Sequence, residues 1–165
     1  MSWARPAATV AALAAVAGGL GACGSAAAGG GDPVAVAQGY IDAIKSNPSG
    51  GLQFLASEPT EKLTGATALS TWVAANKGAT LQIVKVPWIP PGGGTAVAND
   101  KQCLVVPPQG GQLCIVTVEA KAGGKTLYFH LDLENRYTGK YEIINVDTVT
   151  KPDELLPTGN EAHTG

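Results

Sequence analysis

The sequence predicts an α+β domain in which N-terminal helices pack on a curved antiparallel meander of four to five strands. Three observations point there. Asp32-Pro33 opens an amphipathic stretch with helical spacing. At Gly78 the apolar spacing changes from three-and-four to two. Every strand-like run after that point is followed by another strand-like run, with Gly- or Pro-containing turns between them. Helices first and strands after is the order of an α+β layer, not of an alternating α/β fold.

Asp32 supplies an N-cap acceptor and Pro33 suits the first helical position, where a missing N–H costs nothing. Val34, Ala37, Ile41 and Ile44 then recur at intervals of three and four, one face of a helix that ends at Asn47-Pro48-Ser49-Gly50-Gly51. Leu52, Phe54 and Leu55 suggest a short second helix stopped by Glu58-Pro59. Leu69, Trp72 and Val73 mark a third over 64–76. Strands are expected over 81–89, 102–106, 112–120, 125–134 and 140–150, with turns at Gly123-Gly124 and Thr138-Gly139. Gly92-Gly93-Gly94 reads as a loop, since it lacks the Lys-Ser/Thr of a phosphate-binding loop. Residues 151–165 read as a disordered polar tail.

Cys103 and Cys114 flank two apolar runs joined by Pro107-Pro108-Gln109-Gly110-Gly111. A hairpin with its tip at 108 and 109 sets the two cysteines opposite each other, which predicts a disulfide staple. Two cysteines and two histidines form no metal-ligand spacing, and there is no C-x-x-C redox pair. No cofactor is expected.

Residues 1–31 are of another kind. They hold 12 Ala and 7 Gly, a composition that builds no core, and Arg5 is their only charge. An apolar run from Ala7 to Val16 and small residues up to Cys23 describe a secretory signal. Leu20-Gly21-Ala22-Cys23 resembles the bacterial lipobox, which implies cleavage after residue 22, acylation of Cys23 by palmitate-type chains, and a lipid anchor on the extracytoplasmic face of the cell membrane. Gly24 to Gly31, GSAAAGGG, then reads as a flexible tether with a reach of roughly 16 Å at about 5–6 Å × √n. The expected organisation is a signal peptide over 1–22, lipidated Cys and tether over 23–31, a domain over 32–150 and a tail beyond. The formal net charge of −2, with Arg5 and Arg136 the only arginines, leaves no basic footprint for nucleic acid.

The element order, with Tyr40 central in the first helix and Trp72 in the third, resembles the nuclear transport factor 2-like (cystatin-like) superfamily over residues 32–150. Secreted actinobacterial lipoproteins often carry that domain. The resemblance implies a sheet curled around the helices into a cone with an apolar pocket, and frequent homodimers through the sheet. Some members are isomerases, cyclases or dehydratases, while many bind without catalysis.

Leu127, Phe129, Leu131 and Leu133 alternate with Tyr128, His130, Asp132 and Glu134. The apolar set must face the helices, so the polar set is expected on a solvated outer face, against the alternative of a Tyr–His–Asp catalytic group. By the same alternation Tyr141, Ile143, Asn145 and Asp147 share one face, which makes Asp147 the one acid placed to point inward, against the alternative that a lone Asp near a turn is a surface residue. Tyr40, Trp72 and Trp88 are read as core packing, against the alternative that they are the candidate walls of an apolar ligand site. The expected function is a membrane-tethered, non-catalytic envelope lipoprotein that binds a small apolar, lipid-like ligand or an envelope protein. The alternative is an isomerase- or cyclase-like enzyme of the same fold using His130 or Asp147.

Overall fold

The computed structural model describes residues 31–56, 67–90, 93–106, 111–135, 139–154 and 156. The expected signal peptide, Cys23 and nearly all of the expected tether therefore lie outside the described residues, as do 57–66, 107–110, where the hairpin tip is expected, and the residues from 157 onward.

The fold is α+β. Helix α1 (Pro33–Ser46) places Val36, Ala37, Tyr40, Ile41 and Ile44 on its buried side. Pro33 sits in its first turn as expected, but the Asp32 carboxylate makes no capping bond. It is ion-paired instead with Lys101 (2.9 Å). A 3₁₀ segment (Pro48–Phe54) follows at once, beginning inside the stretch expected only to end α1. Asn47 explains this: its side chain accepts from the Ser49 amide (3.1 Å) and its carbonyl from Gly50 (2.7 Å), so the chain turns without a loop. The turn is tight enough that a Cβ on Gly51 would stand 2.5 Å from Ile44 and 2.6 Å from Tyr40. Helix α2 (Ala68–Ala75) supplies Leu69 and Trp72.

Among the described residues seven strands follow: β1 (Thr80–Ile83), β2 (Val86–Trp88), β3 (Val97–Asn99), β4 (Gln102–Val106), β5 (Gly111–Ala122), β6 (Lys125–Asn135) and β7 (Glu142–Val149). The main antiparallel sheet has the order β1-β5-β6-β7, with β4 pairing the other end of β5. The single strand expected over 81–89 is thus two. The chain leaves the sheet after Ile83, Val84 bonds back to the Thr117 carbonyl (3.0 Å), and β2 pairs β3 in a separate ribbon. Gln102 fastens that ribbon to the sheet: its buried Nε2 donates to the carbonyls of Asn99 (3.1 Å) and Val86 (3.4 Å). The β5–β6 turn has positive φ at both Gly123 and Gly124, the geometry of a two-residue hairpin turn that glycine enters without strain.

The helices cover one face of the main sheet. Val36, Tyr40, Ile41, Ile44, Phe54 and Leu69 meet Cys114, Val116, Val118, Phe129, Leu131, Leu133 and Ile143 there, each almost fully buried. A second, smaller cluster of Val86, Ile115 and Leu156, with Val84 and Trp88 against it, lies on the opposite face. Leu156 belongs to the stretch expected to be a disordered tail. Lys151–Glu154 forms a turn and Leu156 is buried, because the sheet's outer face carries an apolar patch that the residues after β7 cover.

Candidate functional site

Register decides what each face of the sheet carries. Cys103 pairs with Cys114 and a disulfide joins them, with Cα atoms 4.1 Å apart. Leu127, Phe129, Leu131 and Leu133 face the helices. On β7 the expected alternation fails. Asp132 pairs with Asn145 but Leu133 pairs with Ile143, so a bulge at Ile144 shifts the chain by one residue. A bulge exchanges the faces of everything beyond it. Tyr141 and Ile143 point toward the helices, whereas Asn145 and Asp147 share the outer face with Asp132 and His130. Asp147 is therefore not an inward acid.

The outer face holds a cross-strand row of Thr117, His130 and Asp147, and beside it a row of Ile115, Asp132 and Asn145. The Asn145 amide bridges two carboxylates, donating to Asp147 (2.9 Å) and to Asp132 (3.3 Å). Burial pushes the Asp132 carboxyl up to about 6, against the Asn145 bond that lowers it and with the Asp147 charge that adds to the rise. His130, expected in solvent, is 2% exposed. Its Nε2 donates to the Pro152 carbonyl at 3.0 Å, since a carbonyl can only accept. Burial lowers the pKa of His130, opposed by the Pro152 bond and by the charges of Asp147 and Glu154. The Thr117 hydroxyl is buried without a hydrogen-bond partner.

The three aromatic residues named as candidate walls of a ligand site are divided between the faces. Tyr40 lies in the main core, edge-on to Phe54 with ring centroids 6.3 Å apart. Burial raises its pKa, against a hydrogen bond with Ser70. Trp72 is half-buried at the margin of the same core, 5.9 Å from Phe129. Trp88 packs on the opposite face against Val86, Ile115 and Leu156. Beside it, Ile89 just past the end of β2 and Val97, opposite Trp88 on β3, are 49% and 54% exposed. Sequence reasoning placed the polar residues of β6 on the outer face but missed Asn145 and Asp147 beside them, because alternation gives no sign of a bulge. It missed the ribbon because Val97–Asn99 is short and follows three glycines.

Among the described residues no group of three or more His, Cys, Asp or Glu side chains is arranged to hold a metal ion. Among them, too, no helix is long and apolar enough to cross a membrane. Compared with known proteins, the chain matches no family model, no curated protein and no solved structure.

Proposed function

We propose that this chain is a lipid-anchored binding module of the cell envelope, held on the extracytoplasmic face through Cys23, and that it acts by docking a protein partner without catalysis. The signal-like leader, the lipobox-like tetrad at 20–23 and a domain with a Cys103–Cys114 disulfide all fit an exported chain. A nuclear transport factor 2-like cone agrees with helices on one face of an antiparallel sheet.

The observation that favours a protein over a lipid-like ligand is the occupancy of the inner face. Tyr40, Ile41, Ile44, Leu69, Phe129, Leu131, Leu133 and Ile143 all fill it at under 2% exposure. A ligand entering there would have to displace packed side chains, each worth about 2–5 kcal/mol of core packing. Apolar surface is instead presented outward at the end of the ribbon, where Val97 pairs with Trp88 and Ile89 follows it. An exposed ribbon with aromatic and aliphatic side chains is the kind of surface that buries well against a partner. His130 and Asp147 lie on the face opposite the helices, which gives no support to an isomerase- or cyclase-like site inside a cone.

Native mass spectrometry of the full chain, released from its own membranes in mild detergent, tests this reading. A stoichiometric protein complex that is lost in Val97→Glu, with the variant folded, is the expected result. A stoichiometric small-lipid adduct beyond the acyl chains on Cys23, and no protein complex, would overturn it in favour of a ligand-holding cone. The anchor is tested separately: Cys23→Ala should move the chain out of the membrane fraction, and continued retention would end the lipoprotein reading.

A further inference from the structure

The residues after β7 turn back across the outer face of the sheet. Glu154 closes this strap on itself, its carboxylate accepting from the Thr150 amide (2.8 Å), the Thr150 hydroxyl (2.7 Å) and the Lys151 amide (3.2 Å). Pro152 then receives the bond from His130, and Leu156 inserts beside Val86 and Ile115. A titratable side chain and an apolar anchor thus hold one short segment against the sheet.

We propose that Thr150 to Glu154, together with Leu156, is an acid-released latch: it closes over His130 and the second core while the imidazole is neutral, and opens when the imidazole takes up a proton. The latch does not rest on the lipid anchor or on the proposed partner, although its anchor Leu156 packs with Trp88 of the ribbon.

The groups around His130 set the sign. On β6 its same-face neighbours are Tyr128 and Asp132, and from β7 Asp147 stands directly opposite. From β5 the uncharged Thr117 stands opposite and Glu119 lies diagonally, bonded to Tyr128 and ion-paired with Lys121. The strap brings Lys151, Asp153 and Glu154. Asp147 and Glu154 favour the imidazolium, but burial outweighs them and holds the pKa of His130 below 6.5. A base whose pKa is lower in the closed state than in water binds its proton better in the open state. Falling pH therefore drives opening, by up to about tenfold per pH unit below 6.5.

Asp132 works the other way. Its carboxyl titrates near 6 in the closed state, so taking up its proton favours closure. Glu154 stays ionised through the same range, because the Thr150 hydroxyl and the two backbone amides hold its pKa below 4.5.

Hydrogen exchange of the Thr150, Lys151 and Glu154 amides in the full chain, corrected for intrinsic rates, reads the latch between pH 7.5 and 5. Protection should fall with pH in Asp132→Asn, and fall less steeply in wild type, where the Asp132 proton opposes opening. It should not fall in His130→Gln, which keeps a donor for Pro152 but does not titrate, so that only the closure-favouring Asp132 remains. An equal fall in His130→Gln, or level protection in both wild type and Asp132→Asn, would overturn the latch. A second measurement does not depend on the His130 variant folding. In folded Leu156→Ala, whose strap has lost its apolar anchor, the NMR-titrated pKa of His130 should rise toward 6.5. An unchanged pKa there would overturn the proposal as well.

Discussion

The two faces of the main sheet are built by different rules. The inner face is apolar from β5 through β7 and covered by two helices and a 3₁₀ segment, so its side chains are held by many neighbours at once. The outer face carries polar rows and a small apolar patch, and a ribbon and a short strap cover it. Burial on the first comes from the collapse of a large surface. On the second it comes from a few named contacts. The lesson is that a polar residue on the outer face of a sheet is not thereby solvated: His130 is as buried as the leucines beside it.

The largest expected effect separates the faces directly. Phe129→Ala removes a ring at the centre of the inner face and should cost about 3–5 kcal/mol in denaturant unfolding. Leu156→Ala removes the anchor of the outer cluster and should cost about 2 kcal/mol, the low end for such a truncation, because that cluster is small and can close up. Equal losses would show that both faces unfold as one packed core.

The disulfide comes next. Cys103→Ser should lower stability by about 2–4 kcal/mol, and reduction of the intact chain should add the mass of two protons. An unchanged mass would mean the two sulfurs are not bonded. Cys114 belongs to the inner core while Cys103 is half-buried on the edge strand, so the Cys103 variant tests the link with little loss of packing.

The smallest effect has the opposite sign. The Asp132 carboxyl has a higher pKa folded than its ordinary 3.8, so it contributes stability below pH 3.8 that is lost as pH rises through about 6. Asp132→Asn should therefore stabilise the chain at pH 8 by about 1–2 kcal/mol, less than the full linkage value of roughly 3 kcal/mol because solvent screens a half-buried carboxylate. The gain should vanish below pH 4. A gain that persists at pH 3.5 would assign it to packing instead of charge.

What was legible in the sequence follows the same division. The helix-then-strand order, the β4–β5 register and the apolar face of β6 all follow from periodicity, because burial on the inner face selects an apolar side chain at every second position. The bulge at Ile144 leaves no such trace, since Ile143 and Ile144 are both apolar and either can be the extra residue. The break after Ile83 was hidden likewise by a run rich in Val and Ile that suits one long strand as well as two short ones. The strap went unread because its composition, KPDELL, is that of an ordinary surface segment, and its fixed position depends on a histidine two strands' length away in sequence. Of the candidate site residues, the cysteine pair was found by arithmetic on hairpin register. The placement of Asp147 and His130 depended on a bulge and a cover, which are tertiary events.

The strand pairings also differ in how far apart their partners lie along the chain. Strands β4 to β7 join only sequence neighbours, whereas β1 reaches β5 across a long excursion, with Leu81 opposite Ala120. Closing a long loop costs more entropy than closing a hairpin, so local pairings form first. The β4–β7 meander is then the part of the chain able to assemble before the helices dock, and the cysteines, 11 residues apart, lie entirely within it. If the chain is exported unfolded, as the proposed function implies, oxidation need not wait for the rest of the domain: the covalent link can be made on the first hairpin and serve as the template on which the N-terminal half condenses.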